Sequence, residues 1–578
     1  MNCSLKKFLI TFFSILSILI LVFIDILLLP PPAIEFAQRP ETAVSQPQPQ
    51  TLCKETQDNS SPPCNPALAD SVWSISHGGS YAQGSSAFAG PISSADANAQ
   101  HLDFGGMPIT LNFTTPYADG GTAVWGSPLS VDGLIVKIDH DSFKIIDLYK
   151  PAEREDNPPA QTLSISGAYS LIDSDNRFVV GRQRAIEIYG DATAGDRFSP
   201  IKLIHRFDLP DDFFCTDDDF IVGLNMTYDD HLAIVTERGM VAILPRQLEK
   251  VTDKDLRQYA INEPNCAAQT DNLEMVSNSL AVDETGGIFI VTSQHMIRLD
   301  WDGQTLSEAW RTPYEADSGE VSTIRLGAGS GSTPSLMGTG NDDQFVVITD
   351  GQPLMHLVLF WRDEIPANWE PIAPSKDRRI ACEIPVTFGD PGASSSLSEQ
   401  SVLVTGYAAI IVNNQLRQEP PNWPNLPPFV NSALAAAAGG NPEATPIGIE
   451  RIDWNPATRT CATVWVNTET SIPNGIPTMS RATNLFYGIG LRAGAWGLEA
   501  VDFETGASRF FIPAAQKRCS LAALQQFEPF VLRLLTAVRQ PFAGHNCENS
   551  FYAATEIGPE GTIYTGTFLG ASKYAPEG

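Results

Sequence analysis

The sequence predicts an all-β fold, a β-propeller of repeated four-stranded sheets, and three observations carry that reading. Short runs of β-branched and aromatic residues recur along most of the chain, separated by turns bearing Asp and Gly. The runs are of two alternating kinds, which together make one antiparallel sheet. The pieces at the two ends of the repeat region are complementary, as closing a ring requires.

The clearest unit is NSLAVDETGGIFIVTSQHMIRLDWDGQTLSEAWR, residues 278–311. It reads as the strands NSLAV, GIFIVT, HMIRLDW and LSEAWR, with turns at Asp283-Glu284-Thr285-Gly286 and Asp302-Gly303. One such sheet cannot bury both of its faces, so further copies must stack on it. Its inner half, two apolar strands around an acidic or Gly turn, recurs at 169–181, 223–236, 278–292 and 334–349. Weaker copies lie at 401–412, 483–496 and 554–566. The outer half, an apolar strand ending in Asp and an aromatic residue, appears at 134–149, 295–310, 449–465 and 496–511, and more loosely at 185–190, 240–246 and 354–363.

Seven inner and seven outer halves, at a spacing of about 55 residues, predict seven blades. The long irregular stretch 364–448 also allows six or eight. The first piece, 134–149, is an outer half and the last, 554–566, an inner half. Strands from the two termini are therefore expected to complete one blade and latch the circle. Two interruptions stand out. Residues 413–447 read as a Pro-rich loop with room for one short helix at SALAAAAGGN, and 520–540 place apolar residues at helical spacing, which predicts one inserted helix.

The N-terminal part is different. Lys6 and Lys7 precede residues 8–29, an almost wholly apolar run long enough to span a bilayer, which ends in Pro30-Pro31-Pro32 without a small-x-small cleavage site. This predicts a cytoplasmic stub and transmembrane signal anchor over 1–29, a Pro/Gln/Ser-rich linker over 30–70 and a propeller domain over 71–578. The globular part is then extracytoplasmic, periplasmic or extracellular. The cysteines agree. Beyond Cys3, which lies ahead of the apolar run, there are eight: Cys53, Cys64, Cys215, Cys266, Cys382, Cys461, Cys519 and Cys547. None forms a C-x-x-C spacing, so a disulfide set is favoured over zinc, and neighbours paired in order give the simplest of the 105 connectivities.

A hydrophobic content of 43% supplies a sizeable core, and a net charge of −30 excludes a nucleic-acid surface, which needs clustered Lys and Arg. The charge serves solubility; the sharper reading is a surface for calcium or a cationic substrate. The acidic turns FFCTDDDF (213–220) and DSDN (173–176) offer carboxylates but lack the EF-hand spacing.

The stretches VDFETGASRFF (501–511), LDWDGQTLSEAW and IDWNPATRTCATVW resemble the repeats of quinoprotein-like (PQQ-like repeat) β-propellers. The entry segment SVWSISHGGSYAQGSSAFAGP (71–91) looks like the lead-in of such propellers. The resemblance implies a scaffold that carries quinone-dependent dehydrogenases in some members and no assigned activity in others. The quinone enzymes add a vicinal disulfide, whereas no two cysteines are adjacent here.

Loops joining the second and third strands face one mouth of the central channel. They bring Arg182, Arg184, Glu237, Arg238, Gln294, His295, Asp350 and Arg492 into consideration as a channel-mouth ligand or metal site. Loops entering the inner strands add Asn278, Ser332, Thr333 and Glu399. No G-x-S-x-G, H-E-x-x-H or Walker pattern is present. The reading is a membrane-anchored extracytoplasmic propeller that binds a small molecule or an envelope protein. The alternative is an enzyme using PQQ or calcium, a dehydrogenase or lactonase-type hydrolase.

Overall fold

The computed structural model describes residues 34–39, 61–130, 133–151, 165–262, 273–316, 325, 329–340, 342–418, 438–515, 548–568 and 570–576. Its elements are strands and short 3-10 turns. Among the described residues no helix is long and apolar enough to cross a membrane. The span expected at 8–29 and the helix expected at 520–540 both lie outside the described residues.

The described strands form eight sheets, each with four antiparallel strands, not the expected seven; the seventh also takes Ser85–Ser86 as a fifth, parallel strand. Blade 1 runs from Met107–Phe113 to Lys144–Tyr149, blade 2 from Ser170–Ile172 to Ile201–Asp208, and blade 3 from Ile221–Met226 to Arg257–Ala260. Blade 4 runs from Ala281–Val282 to Leu306–Pro313, blade 5 from Ser335–Met337 to Ile380–Pro385, and blade 6 from Leu403–Thr405 to Thr460–Asn467. Blade 7 runs from Thr478–Ser480 to Ser508–Pro513. Blade 8 takes Thr555–Ile557, Ile563–Gly566 and Gly570–Pro576 from the C-terminal end, and its outermost strand, Ala97–Asp103, from the N-terminal side.

Latching by the two ends is thus real, but its partners differ from those expected. The outer half 134–149 belongs to blade 1, whose inner half lies directly upstream at Met107–Phe113 and Ala123–Leu129. That pair hides from a strand pattern because Pro108 faces Pro128 and the register shifts beside them. The latch strand, ANAQHLD, is half polar because it is an outer edge.

The core is divided among the seams between blades. Leu171, Val179 and Ile188 of blade 2 pack on Leu224, Leu232 and Ile234 of blade 3. Equivalent clusters join each later pair, and the last sets Phe113 and Val136 of blade 1 against Tyr564 and Ala571 of blade 8. Cores on both sides of every blade explain strands that are apolar on both faces, such as Phe345–Thr349, which is buried throughout.

The entry segment does more than lead in. Each innermost strand has an edge facing the axis, and its N–H groups need acceptors. Carbonyls of residues 73–84 supply them in chain order. Phe113 N donates to Trp73 O, Ile172 N to Ser74 O, Val282 N to Ser80 O and Leu336 N to Tyr81 O. Val404 N then donates to Gln83 O and Met479 N to Gly84 O. Side chains fill the gaps: Asn225 Nδ2 donates to Ser80 O, Ser335 Oγ to Ala82 O and Thr478 Oγ1 to Gly84 O. The channel is therefore plugged by the protein's own chain. Asn112 and Asn225 both head glycosylation sequons, yet both are buried on innermost strands and hydrogen-bonded, which leaves no room for a glycan.

Contacts also begin ahead of residue 71. Phe36 bridges to Ile145 on the outer edge of blade 1, and Leu68 to Asp173. Cys382 and Cys461 are bonded, joining the outermost strands of blades 5 and 6 as neighbour pairing expects. Cys64 and Cys215 are each in a disulfide as well, whereas Cys3, Cys53, Cys266, Cys519 and Cys547 lie outside the described residues.

Candidate functional site

Antiparallel order places the second-to-third strand turns and the loops entering the innermost strands on one face of the ring. On that face the loops entering the inner strands do meet at the axis. Asn278 and Glu399 line a cavity of about 50 Å³ together with Tyr169, Tyr552 and His77 of the plug. Ser332 and Thr333 lie beside it, Ser332 Oγ sharing a hydrogen bond with Thr349 Oγ1 at 2.9 Å. His77 is buried with neither ring nitrogen hydrogen-bonded to the protein, and burial lowers its pKa to about 4, so the ring is neutral at physiological pH.

The second-to-third strand turns behave otherwise. Arg182 donates to Gly133 O and Ser127 Oγ and lies 3.3 Å from Glu187. Arg184 stacks on Phe214 at 3.9 Å and donates to Asp217 O. Arg238 pairs with Asp218 at 3.5 Å, and burial, helped by the charge of Asp219, raises the pKa of Glu237. His295 Nδ1 lies 3.1 Å from Glu274, which Arg311 also engages. Arg492 grips Glu499 through two nitrogens. None of these side chains lines the axial cavity, and the arginines and His295 are held by groups of their own or a neighbouring blade or its loops. Asp350 is the exception in kind. With His356 and Glu383 it forms a group in which one ligand atom from each residue lies within 4.8 Å of the others. His356 and Glu383 escape the sequence pattern because they sit on the third and fourth strands of blade 5, where nothing in the repeat marks them.

The larger cavity is on the opposite face, at the end of the first-to-second strand turns, and encloses about 410 Å³. Tyr81 of the plug and Phe88 just beyond it line this cavity, with Thr115, Ser174, Tyr228 and Arg481. Arg481 donates to Ser85 Oγ and Ser61 Oγ. The signal for this cavity was the run SHGGSYAQG, where Gly78 and Gly84 take positive φ and the small residues let a backbone cross a crowded axis.

Among the described residues, neither of these cavities fits a quinone cofactor. A pocket for a ligand of that size needs roughly 300 Å³ or more, and the axis offers about 50 Å³. The opposite cavity has the volume, but beside Asp70 its one fixed cation is Arg481, poor matching for several carboxylates. The acidic turns suggested for calcium are already answered by cations or N–H groups. Asp173 holds Arg177 and Arg246, and Asp219 accepts from the N–H groups of Cys215 and Arg238.

No family model matches the chain. It is 41% identical over 512 residues to an uncharacterized protein of Archaeoglobus fulgidus, covering 89% of either chain. Among solved structures it is similar to the quinohemoprotein alcohol dehydrogenase of Comamonas testosteroni, with a TM-score of 0.51 at 12% identity, covering 91% of this chain and 82% of that one. It is likewise similar to a europium-containing methanol dehydrogenase, with a TM-score of 0.51 at 11% identity, covering 91% of this chain and 99% of that one. These likenesses establish a quinoprotein-like propeller fold and nothing of chemistry.

Proposed function

The chain belongs to the family of the Archaeoglobus fulgidus protein, and from that premise we propose that it is a binding module rather than a quinone enzyme. The observation that carries this is the plug: the axis is filled by residues 73–84 of the chain itself. Among the described residues, the 410 Å³ cavity on the opposite face stays open. Its aromatic and proline walls, hydroxyl groups and single arginine suit a small organic ligand or the tip of a partner, with an apolar body and a few hydrogen-bonding groups. We further propose that the ring works outside the cytoplasm, supported by disulfide-bonded Cys64, Cys215 and the Cys382–Cys461 pair.

The test is a thermal-shift screen of the purified protein against oligosaccharides and short peptides, with an absorption spectrum of the same sample. A hit should raise Tm in the wild type and not in Ser174→Trp, whose exposed position on the cavity's lip lets the indole block it without touching the core. A bound quinone in the spectrum would overturn the proposal. So would a hit that Ser174→Trp binds equally well.

A further inference from the structure

We propose that Asp350, His356 and Glu383 form a binding site for a divalent cation of the Zn²⁺ type, on the rim of blade 5 and apart from both axial cavities. The three come from different places in the sheet. Asp350 follows the second strand, His356 opens the third and Glu383 lies on the fourth. The register pairs His356 with Pro385 and Val358 with Glu383, so His356 and Glu383 are diagonal neighbours on one face. One ligand atom from each falls within 4.8 Å of the others. Two ligands about 2.1 Å from a tetrahedral ion stand roughly 3.4 Å apart, so this spacing needs only small movements.

Glu383 supplies the second, independent observation. Its Oε1 accepts from Lys376 at 2.6 Å, but its Oε2 is buried with no hydrogen-bond partner, in a side chain only 9% exposed. A buried carboxylate oxygen without a donor is costly. A cation at this point would satisfy it. On the other side, Asp350 is fully buried and accepts from His356 Nδ1 at 2.8 Å, and from the His356 and Gln352 N–H groups. The ion would take the place of the Nδ1 proton, leaving the backbone bonds to hold the carboxylate in place. Charge agrees: Asp350 faces His356 while Lys376 pairs with Glu383 and Glu315, so with a neutral imidazole the three carboxylates and one ammonium leave the group at −2, the charge a divalent ion cancels. His356 is 23% exposed, which gives an entry path and leaves room for water as a fourth ligand.

One imidazole with two carboxylates suits Zn²⁺, with Co²⁺ and Mn²⁺ as relatives. It does not suit Ca²⁺, which takes 6–8 oxygens. The bound ion would tie the loop 350–356 to the outermost strand of blade 5.

The test is calorimetric titration of chelator-stripped full-length protein with Zn²⁺, alongside His356→Ala and Glu383→Gln. One tight equivalent is expected in the wild type, weakened 100-fold or more in both variants, with Ca²⁺ unable to compete. X-ray absorption of the zinc-loaded wild type, which needs no variant to fold, should show nitrogen and oxygen neighbours only. Absence of a tight equivalent, binding undiminished in either variant, effective competition by Ca²⁺, or a sulfur neighbour would each overturn the assignment.

Discussion

The latch between the chain's two ends rests on a charged histidine, and its contribution to stability should vanish in mild alkali. His101 lies on Ala97–Asp103 directly opposite Ser572 in the last strand of blade 8. Its Nε2 is 2.9 Å from Asp103, and its Nδ1 is 3.1 Å from Ser572 Oγ and 3.2 Å from Glu548. Burial alone would push its pKa down. The hydrogen bonds and charges of Asp103 and Glu548 outweigh burial and raise it from 6.5 to about 9. The folded state therefore holds this proton more tightly than the unfolded chain does. Its stabilisation is complete below pH 6.5 and is lost as pH rises through about 9. At 1.36 kcal/mol per unit, the shift is worth roughly 3 kcal/mol. Denaturant unfolding near pH 6 and again near pH 9.5, on wild type and His101→Gln, measures it. The wild type should lose roughly 3 kcal/mol more than the variant across that interval, with hydrogen exchange rising first in Ala97–Asp103. Parallel pH profiles for the two proteins would refute the reasoning.

Three further outcomes are expected. His77, lowered to about 4 by burial, resists protonation in the fold, so stability falls as pH drops from 6.5 towards 4, and His77→Gln should suffer roughly 3 kcal/mol less of that loss in acid unfolding. Removing the Cys382–Cys461 bond, which spans a sequence separation of 79, should lower stability by about 4 kcal/mol by freeing the unfolded chain; calorimetry of the double Cys→Ala variant reads it. Trp73→Ala, at a side chain 1% exposed in the seam between blades 8 and 1, should cost about 3–5 kcal/mol. Limited proteolysis should then cut within 61–90 well before the blades.

Much of the ring was legible because strand and turn signals are local. GLNMTYDDHLAIVT became Ile221–Met226 and His231–Thr236, and HMIRLDWDGQTLSEAW became the outer half of blade 4. Asp283 shows why such turns repeat: its carboxylate accepts from Thr285 N and Gly287 N, fixing the hairpin within five residues. The blade count failed where local signals fade, at Pro-bearing Met107–Phe113 and the half-polar Ala97–Asp103. Reading the mouth residues from their loops placed them on one face of the ring, but did not reveal that Arg182, His295 and Arg492 would be claimed by Glu187, Glu274 and Glu499.

The sequence by itself determined the alternation of apolar strands and acidic turns, hence sheets that must stack and a chain that must meet itself, because those signals act over a few residues. Only the tertiary structure decided what lies at the axis and which carboxylates stay unanswered. Residues 73–84 gain their partners from seven blades spread over the rest of the chain, and Glu383 meets His356 only through the pairing of two strands. No local pattern encodes contacts made at that distance.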